Sequence, residues 1–179
     1  MTPELRVFAY GTLKRGFPNH DAYCAGVLRT SPAWLQGKLF KLSSEIPAMT
    51  LPDEDILAYG TAGVAADIET QEKFESFLKS RQSGGPGSSG AYSWGKVRGE
   101  LLIFNDPETR LPLLDSFEEF QPGCPSTYIR ALVFITLPGG SQTSAWTYIA
   151  GFDPKGLEEY AKESWRHSPS HTKIKTGRG

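Results

Sequence analysis

Cysteine is scarce in this chain: Cys24 and Cys124 are the two in 179 residues. Two thiols are too few for a disulfide framework, and no C-x-x-C spacing suggests zinc. Both are expected to be buried. Of three histidines, His20, His167 and His171, two lie in the last stretch, which leaves little for a metal cluster or a histidine-based triad. No Gly-x-Ser-x-Gly elbow occurs, and although Gly11 and Gly16 have phosphate-loop spacing, Phe17 stands where that loop needs lysine. Charge of one sign is missing too. With a formal net charge of −1, the chain has no global field to draw in a nucleic acid or an anionic membrane. No apolar run reaches the length of a membrane span, and no basic segment followed by an apolar one opens the chain. The expectation is a cytoplasmic protein acting on a small molecule, without nucleic acid, membrane, metal or cofactor.

What is present describes one globular domain, since 39% hydrophobic and 12% aromatic residues suffice for a single core at this length. Leu5 to Tyr10 reads as a short buried strand ending at Gly11, a residue that allows a sharp turn and a close approach. Asp21 is placed as the cap of a short helix ending near Arg29. A strand with a bend or bulge at Gly37 is expected over Ala33 to Leu42, a loop over Ile46 to Asp55, and a further strand within Ile56 to Asp67. Phe74, Phe77 and Leu78 share one face of a predicted helix over Glu69 to Arg81, followed by a Ser/Gly-rich stretch. Helix and loop, at about 69–93, read as an insertion. Alternation predicts a strand over Trp94 to Phe104. A helix opens at Asp106-Pro107-Glu108 and is expected to run to Phe120. A hairpin pairs Thr127 to Leu137 with Ser144 to Ile149, an amphipathic helix covers Phe152 to Trp165, and 167–179 form a flexible tail.

Two places carry chemistry. The turn after the first strand exposes the backbone N–H groups of Thr12 and Leu13, which can cradle an anion. Asp115, Glu118 and Glu119 lie at the end of a helix, where the dipole disfavours negative charge and desolvation would make a carboxylate basic. Asp115 and Glu118 share a face there, and Glu119 is turned away from it.

The opening Phe8-Ala9-Tyr10-Gly11-Thr12-Leu13-Lys14-Arg15-Gly16, continued by Pro18-Asn19-His20, resembles the signature of the gamma-glutamylcyclotransferase-like superfamily. Leu114-Asp115-Ser116-Phe117-Glu118, followed by Cys124-Pro125-Ser126-Thr127-Tyr128-Ile129-Arg130, resembles its second motif, above all in the gamma-glutamylamine cyclotransferase branch. The insertion and Gln121-Pro122-Gly123 depart from the compact pattern. The resemblance implies a small α+β domain over residues 1–166, with flanking helices around a bent, partly closed β-barrel and a cavity at the end of the first strand. It further implies that Tyr10, Gly11, Thr12 and Leu13 hold the substrate, that Glu118 is the catalytic acid/base with Phe117 packed inward, and that Tyr128 lines the same pocket. His20 is expected as a supporting hydrogen-bond partner and Arg130 as a structural or rim cation.

The chemistry implied needs no protein nucleophile. A γ-glutamyl amide carries its own, the α-amine, which attacks the γ-carbonyl to give 5-oxoproline and a free amine. The alternative is a non-catalytic relative that keeps the cavity for a small amino-acid-like ligand.

Overall fold

The computed structural model describes residues 3–42, 46–81 and 94–166. Side chains of a strand alternate between its faces, and β1 (Leu5–Ala9) is buried on both. Leu5, Val7 and Ala9 pack with Leu111, Leu114 and Trp146. Phe8 and Tyr10 join Leu35, Val97, Val133 and Ala145 instead. A doubly buried strand belongs at the centre of a sheet. Accordingly β1 pairs antiparallel with β5 (Gly95–Phe104) and parallel with β7 (Gln142–Ala150). Beyond these lie β2 (Arg29–Lys41) on β5 and β6 (Tyr128–Thr136) on β7.

Pairing of Trp34 with Thr136 joins β2 back to β6, so the order β2-β5-β1-β7-β6 closes into a five-stranded barrel. All five strands contribute to the cluster around Phe8, which is therefore the barrel interior. The fold is the mixed α/β barrel with few helices that the motifs imply. Two short strands, β3 (Pro47–Thr50) on the far end of β2 and β4 (Ile56–Tyr59) on β6, extend it.

Several local expectations are corrected. Gly37 marks a change of partner: β2 pairs β5 in continuous register from Arg29 to Gly37, then β3 from Lys38 onward. The expected loop at Ile46 to Asp55 contains β3, whose proline stands at the first residue of an edge strand, the position a sheet tolerates. Asp21 lies inside α1 (Pro18–Tyr23), which begins after Phe17 with proline in its first turn.

Helix α2 (Val64–Arg81) starts earlier than Glu69 and buries Asp67, Ile68, Gln71 and Leu78, while Phe77 is exposed. Its buried stripe is partly polar because it docks onto backbone. Gln71 accepts from Arg6 N at 2.9 Å and donates to Glu4 O at 2.8 Å, and Glu75 accepts from Ser144 N at 3.0 Å. The Ser/Gly-rich stretch and the tail fall outside the described residues. Helix α3 (Pro107–Phe117) ends three residues before Phe120.

No helix forms over Phe152 to Trp165. Gly156 adopts φ +94°, and apart from a turn closed by Leu157 N on Pro154 O the backbone there bonds to the barrel. Glu158–Glu159 (β8) pairs with the end of β2, Tyr160 N donates to Leu39 O at 2.7 Å, and Arg98 N donates to Glu163 O at 2.7 Å. The segment runs as a strap that buries Trp165 against Tyr160. Among the described residues no helix is long and apolar enough to cross a membrane.

Candidate active site

Where β1 ends, the chain leaves the sheet between α3 and β3 and opens a cavity of about 390 Å³, within the range of small-ligand sites. Tyr10, Gly11, Thr12, Leu13, Glu118 and Tyr128 all line it. Residues 107 positions apart in sequence thus share one concavity. Added to them are Tyr148, Phe117, Glu119 and the apolar rim of Leu42, Ile46 and Pro47.

The turn is held from three sides. Lys14 N donates to Gly11 O at 3.3 Å and closes it. From α1, Asn19 Nδ2 donates to Thr12 Oγ1 at 2.9 Å and His20 Nδ1 meets Leu13 O at 2.7 Å, the supporting role foreseen for His20. Lys14 is drawn underneath, its ammonium donating to Trp165 O at 2.8 Å and Ser164 Oγ at 3.2 Å, with burial lowering its pKa. The N–H groups of Thr12 and Leu13 find no acceptor among the described residues. Two adjacent donors beside a cavity form an anion cradle.

A Cβ at Gly11 would stand 3.0 Å from Pro47 Cγ, so a side chain there fits only if Pro47 gives way. Pro47 is itself fixed by Tyr128, whose hydroxyl donates to Pro47 O at 2.9 Å. Gly11→Ala is therefore expected to lower kcat/KM by roughly tenfold and stability by about 1 kcal/mol. Substrate turnover and thermal unfolding of the variant check this.

The acidic end of α3 closes with a Schellman motif: Phe120 N donates to Asp115 O at 2.8 Å and Glu119 N to Ser116 O at 3.4 Å. The motif requires a left-handed residue after Glu118. Glu119 supplies it at φ +54°, the one non-glycine residue with positive φ among those described. A glycine would relieve the strain, and Glu119→Gly is expected to raise unfolding stability by about 1 kcal/mol. Chemical denaturation of the two proteins measures the difference.

Glu118, the last residue before that turn, points into the cavity half-buried. Among the described residues none donates to its carboxylate, and burial alone raises its pKa from 4.5 to about 7. A carboxyl poised near neutrality and open to a cavity can accept a proton near pH 7. Phe117 packs on Tyr23, ring centroids 4.2 Å apart.

Three tyrosines wall the site. Tyr10 Oη donates to Tyr148 O at 2.8 Å, and Tyr148 Oη donates to Asp115 Oδ1 at 2.7 Å. Burial raises the pKa of Tyr10, Tyr128 and Tyr148, and the Glu118 charge adds to it, so all three remain neutral donors. Tyr148 was not foreseen. Its signal was the alternation of β7, which puts Trp146 and Tyr148 on one side, and the need of Asp115 for a donor.

Arg130 is no rim cation but lies at 1% side-chain exposure beneath the site. It donates to Asp115 Oδ2 at 2.8 Å, to Thr61 O at 2.9 Å and to Asp67, between the rings of Phe120 and Trp146. Gly60 leaves room for it, because a Cβ there would stand 2.9 Å from Nη2. Burial raises the Asp115 pKa, opposed by Arg130 and the Tyr148 hydroxyl.

Cys24 is buried, its thiol pushed up to about 11 by burial, whereas Cys124, expected buried, is exposed on the loop before β6. That loop leaves the core directly after Phe120, which explains the difference. Among the described residues no group of three or more His, Cys, Asp or Glu could hold a metal ion.

Comparison with solved structures finds an AIG2-like protein from Mus musculus at 22% identity and TM-score 0.51, covering 93% of this chain and 91% of that one. YkqA from Bacillus subtilis matches at 18% identity and TM-score 0.53 over 90% of this chain, which spans 39% of that protein. Both likenesses concern the fold. A search of curated proteins returns no match. The family described as gamma-glutamyl cyclotransferase, AIG2-like, matches residues 7–78 and 66–167. With both motifs folded onto one cavity and that match running over nearly the whole chain, the protein belongs to the AIG2-like gamma-glutamyl cyclotransferase family.

Proposed function

We propose that this chain releases 5-oxoproline from a γ-glutamyl amine or amide, with Glu118 as the acid/base and the turn Tyr10 to Leu13 as the binding cradle. The observation that carries the reading is the pairing, across one cavity, of an unpartnered carboxyl with pKa near 7 and two unsatisfied backbone N–H groups. The substrate's α-carboxylate or its developing oxyanion is anchored by Thr12 and Leu13 N–H. Glu118 takes a proton from the α-ammonium, and the amine nitrogen attacks the γ-carbonyl.

A carbon–nitrogen bond forms to close the lactam as the amide carbon–nitrogen bond breaks. Of the three α-ammonium protons one stays on the lactam nitrogen, and two end on the departing amine, one of them passed by Glu118. The positive charge of the α-ammonium leaves with the departing amine as its ammonium. Folding the substrate until its two ends meet supplies up to about 7 to 11 kcal/mol of the barrier, and the positioned carboxylate a further ~10²- to 10⁴-fold.

The test is 5-oxoproline release from a panel of γ-glutamyl amines, amides and dipeptides. Turnover of at least one member supports the reading. A panel that binds without turnover favours the ligand-holding alternative.

A further inference from the structure

Apart from Glu118, the cavity wall holds one other charged side chain among the described residues, and that is also a carboxylate, Glu119. Among the described residues neither lysine, arginine nor histidine lines it. Glu119 is exposed at the mouth, and its carboxylate has no ion-pair or hydrogen-bond partner among the described residues. Its charge reaches the interior, because it helps to push the Tyr128 hydroxyl upward together with Glu118. It also stands in a left-handed backbone position that favours glycine. The same cavity has apolar lining in Leu42, half-buried, and Ile46, 45% exposed.

We propose that Glu119 is a charge filter for the leaving group: the cavity mouth accepts an aliphatic tail ending in a cation and repels one ending in a carboxylate. The proposal rests on the γ-glutamyl reading above and adds the class of tail. The glutamyl head sits in the turn, so the tail must run past Glu118 toward the mouth. A methylene chain packs along Leu42 and Ile46, and its far end meets Glu119. An ammonium there gains a partner for which no cation of the described cavity lining competes, while a carboxylate there meets like charge.

Three probes share one head and nearly one length: mono-γ-glutamyl-1,4-diaminobutane, γ-glutamyl-butylamine and γ-glutamyl-4-aminobutyrate. Their binding is measured by calorimetry on Glu118→Gln, which separates recognition from turnover, and on the double variant Glu118→Gln/Glu119→Gln. The expected order is cationic, neutral, anionic, with roughly tenfold between the extremes at low salt, shrinking in about 0.5 M salt. In the double variant the spread collapses to within about twofold. Equal binding of the three tails, or a spread unchanged by Glu119→Gln, overturns the proposal. Ranked binding with no turnover in the native protein overturns the enzymatic reading and leaves the filter standing. No binding by any probe overturns both.

Discussion

Glu118→Gln is expected to abolish 5-oxoproline release, by about 10²- to 10⁴-fold in kcat, without loss of the fold. Gln is isosteric and accepts no proton, and the site around Glu118 gives it no partner to lose. In the native protein kcat/KM should fall about tenfold per pH unit below about 7, where Glu118 becomes protonated. The same shift sets a sign for stability. Glu118 is more easily protonated folded than unfolded, so its contribution is fully present below 4.5 and is lost as pH rises through about 7. Glutamine escapes that loss. At pH 8 the Gln variant should therefore be more stable than native by about 2 kcal/mol, and at pH 4 nearly equal to it. Denaturant unfolding at the two pH values reads this directly; a destabilised, inactive variant at pH 8 would mean the loss of activity is structural.

The second large effect is on Arg130. Replacing it with alanine strands Asp67 and Asp115, at 2% and 17% side-chain exposure, without their cation. Breaking a buried pair from one side is expected to lower stability by about 3 to 5 kcal/mol. Replacing all three charges together, as Arg130→Met with Asp67→Asn and Asp115→Asn, should recover most of that, because no uncompensated charge remains. The non-additivity in thermal unfolding is the diagnostic. In the triple variant Tyr148 keeps an acceptor at residue 115 but α3 loses its tie to α2, so kcat should fall more than KM rises. Single variants that sum to the triple one would show that the three side chains act independently.

The barrel was legible where burial follows a simple period. β1, β5, β6 and β7 alternate or run apolar in sequence, and the site motifs stand at their ends. Two classes of feature escaped. Polar residues inside a buried stripe hide it, as Asp67 and Gln71 do in the first turns of α2, where the barrel offers hydrogen bonds rather than an apolar face. Segments organised by distant backbone cannot be read locally either. Phe152 to Trp165 has the composition of an amphipathic helix, yet its backbone N–H and C=O groups find partners on β2 and β5. At the site, Glu118 was separated from Glu119 by motif alone. The physical distinction lies in the Schellman turn, which keeps Glu118 on the helix and swings the chain at Glu119. Sequence left Arg130 open as a structural or a rim cation, since a cation beside a binding motif fits either place. Two buried acids on separate helices, invisible as a pair in sequence, draw it inside.

The strap that holds Lys14 fixes when the cavity can exist. Lys14 waits for Trp165, 151 residues further on, and β1 itself waits for Trp146 of β7 to complete its second side. Contacts of such separation form late and slowly, after the loops between them have closed. On a ribosome the glycine turn would emerge first and mature last. Until then an unpaired strand, apolar but for Arg6, stands open to other chains. For β1 and its turn, the order of synthesis thus runs opposite to the order of assembly.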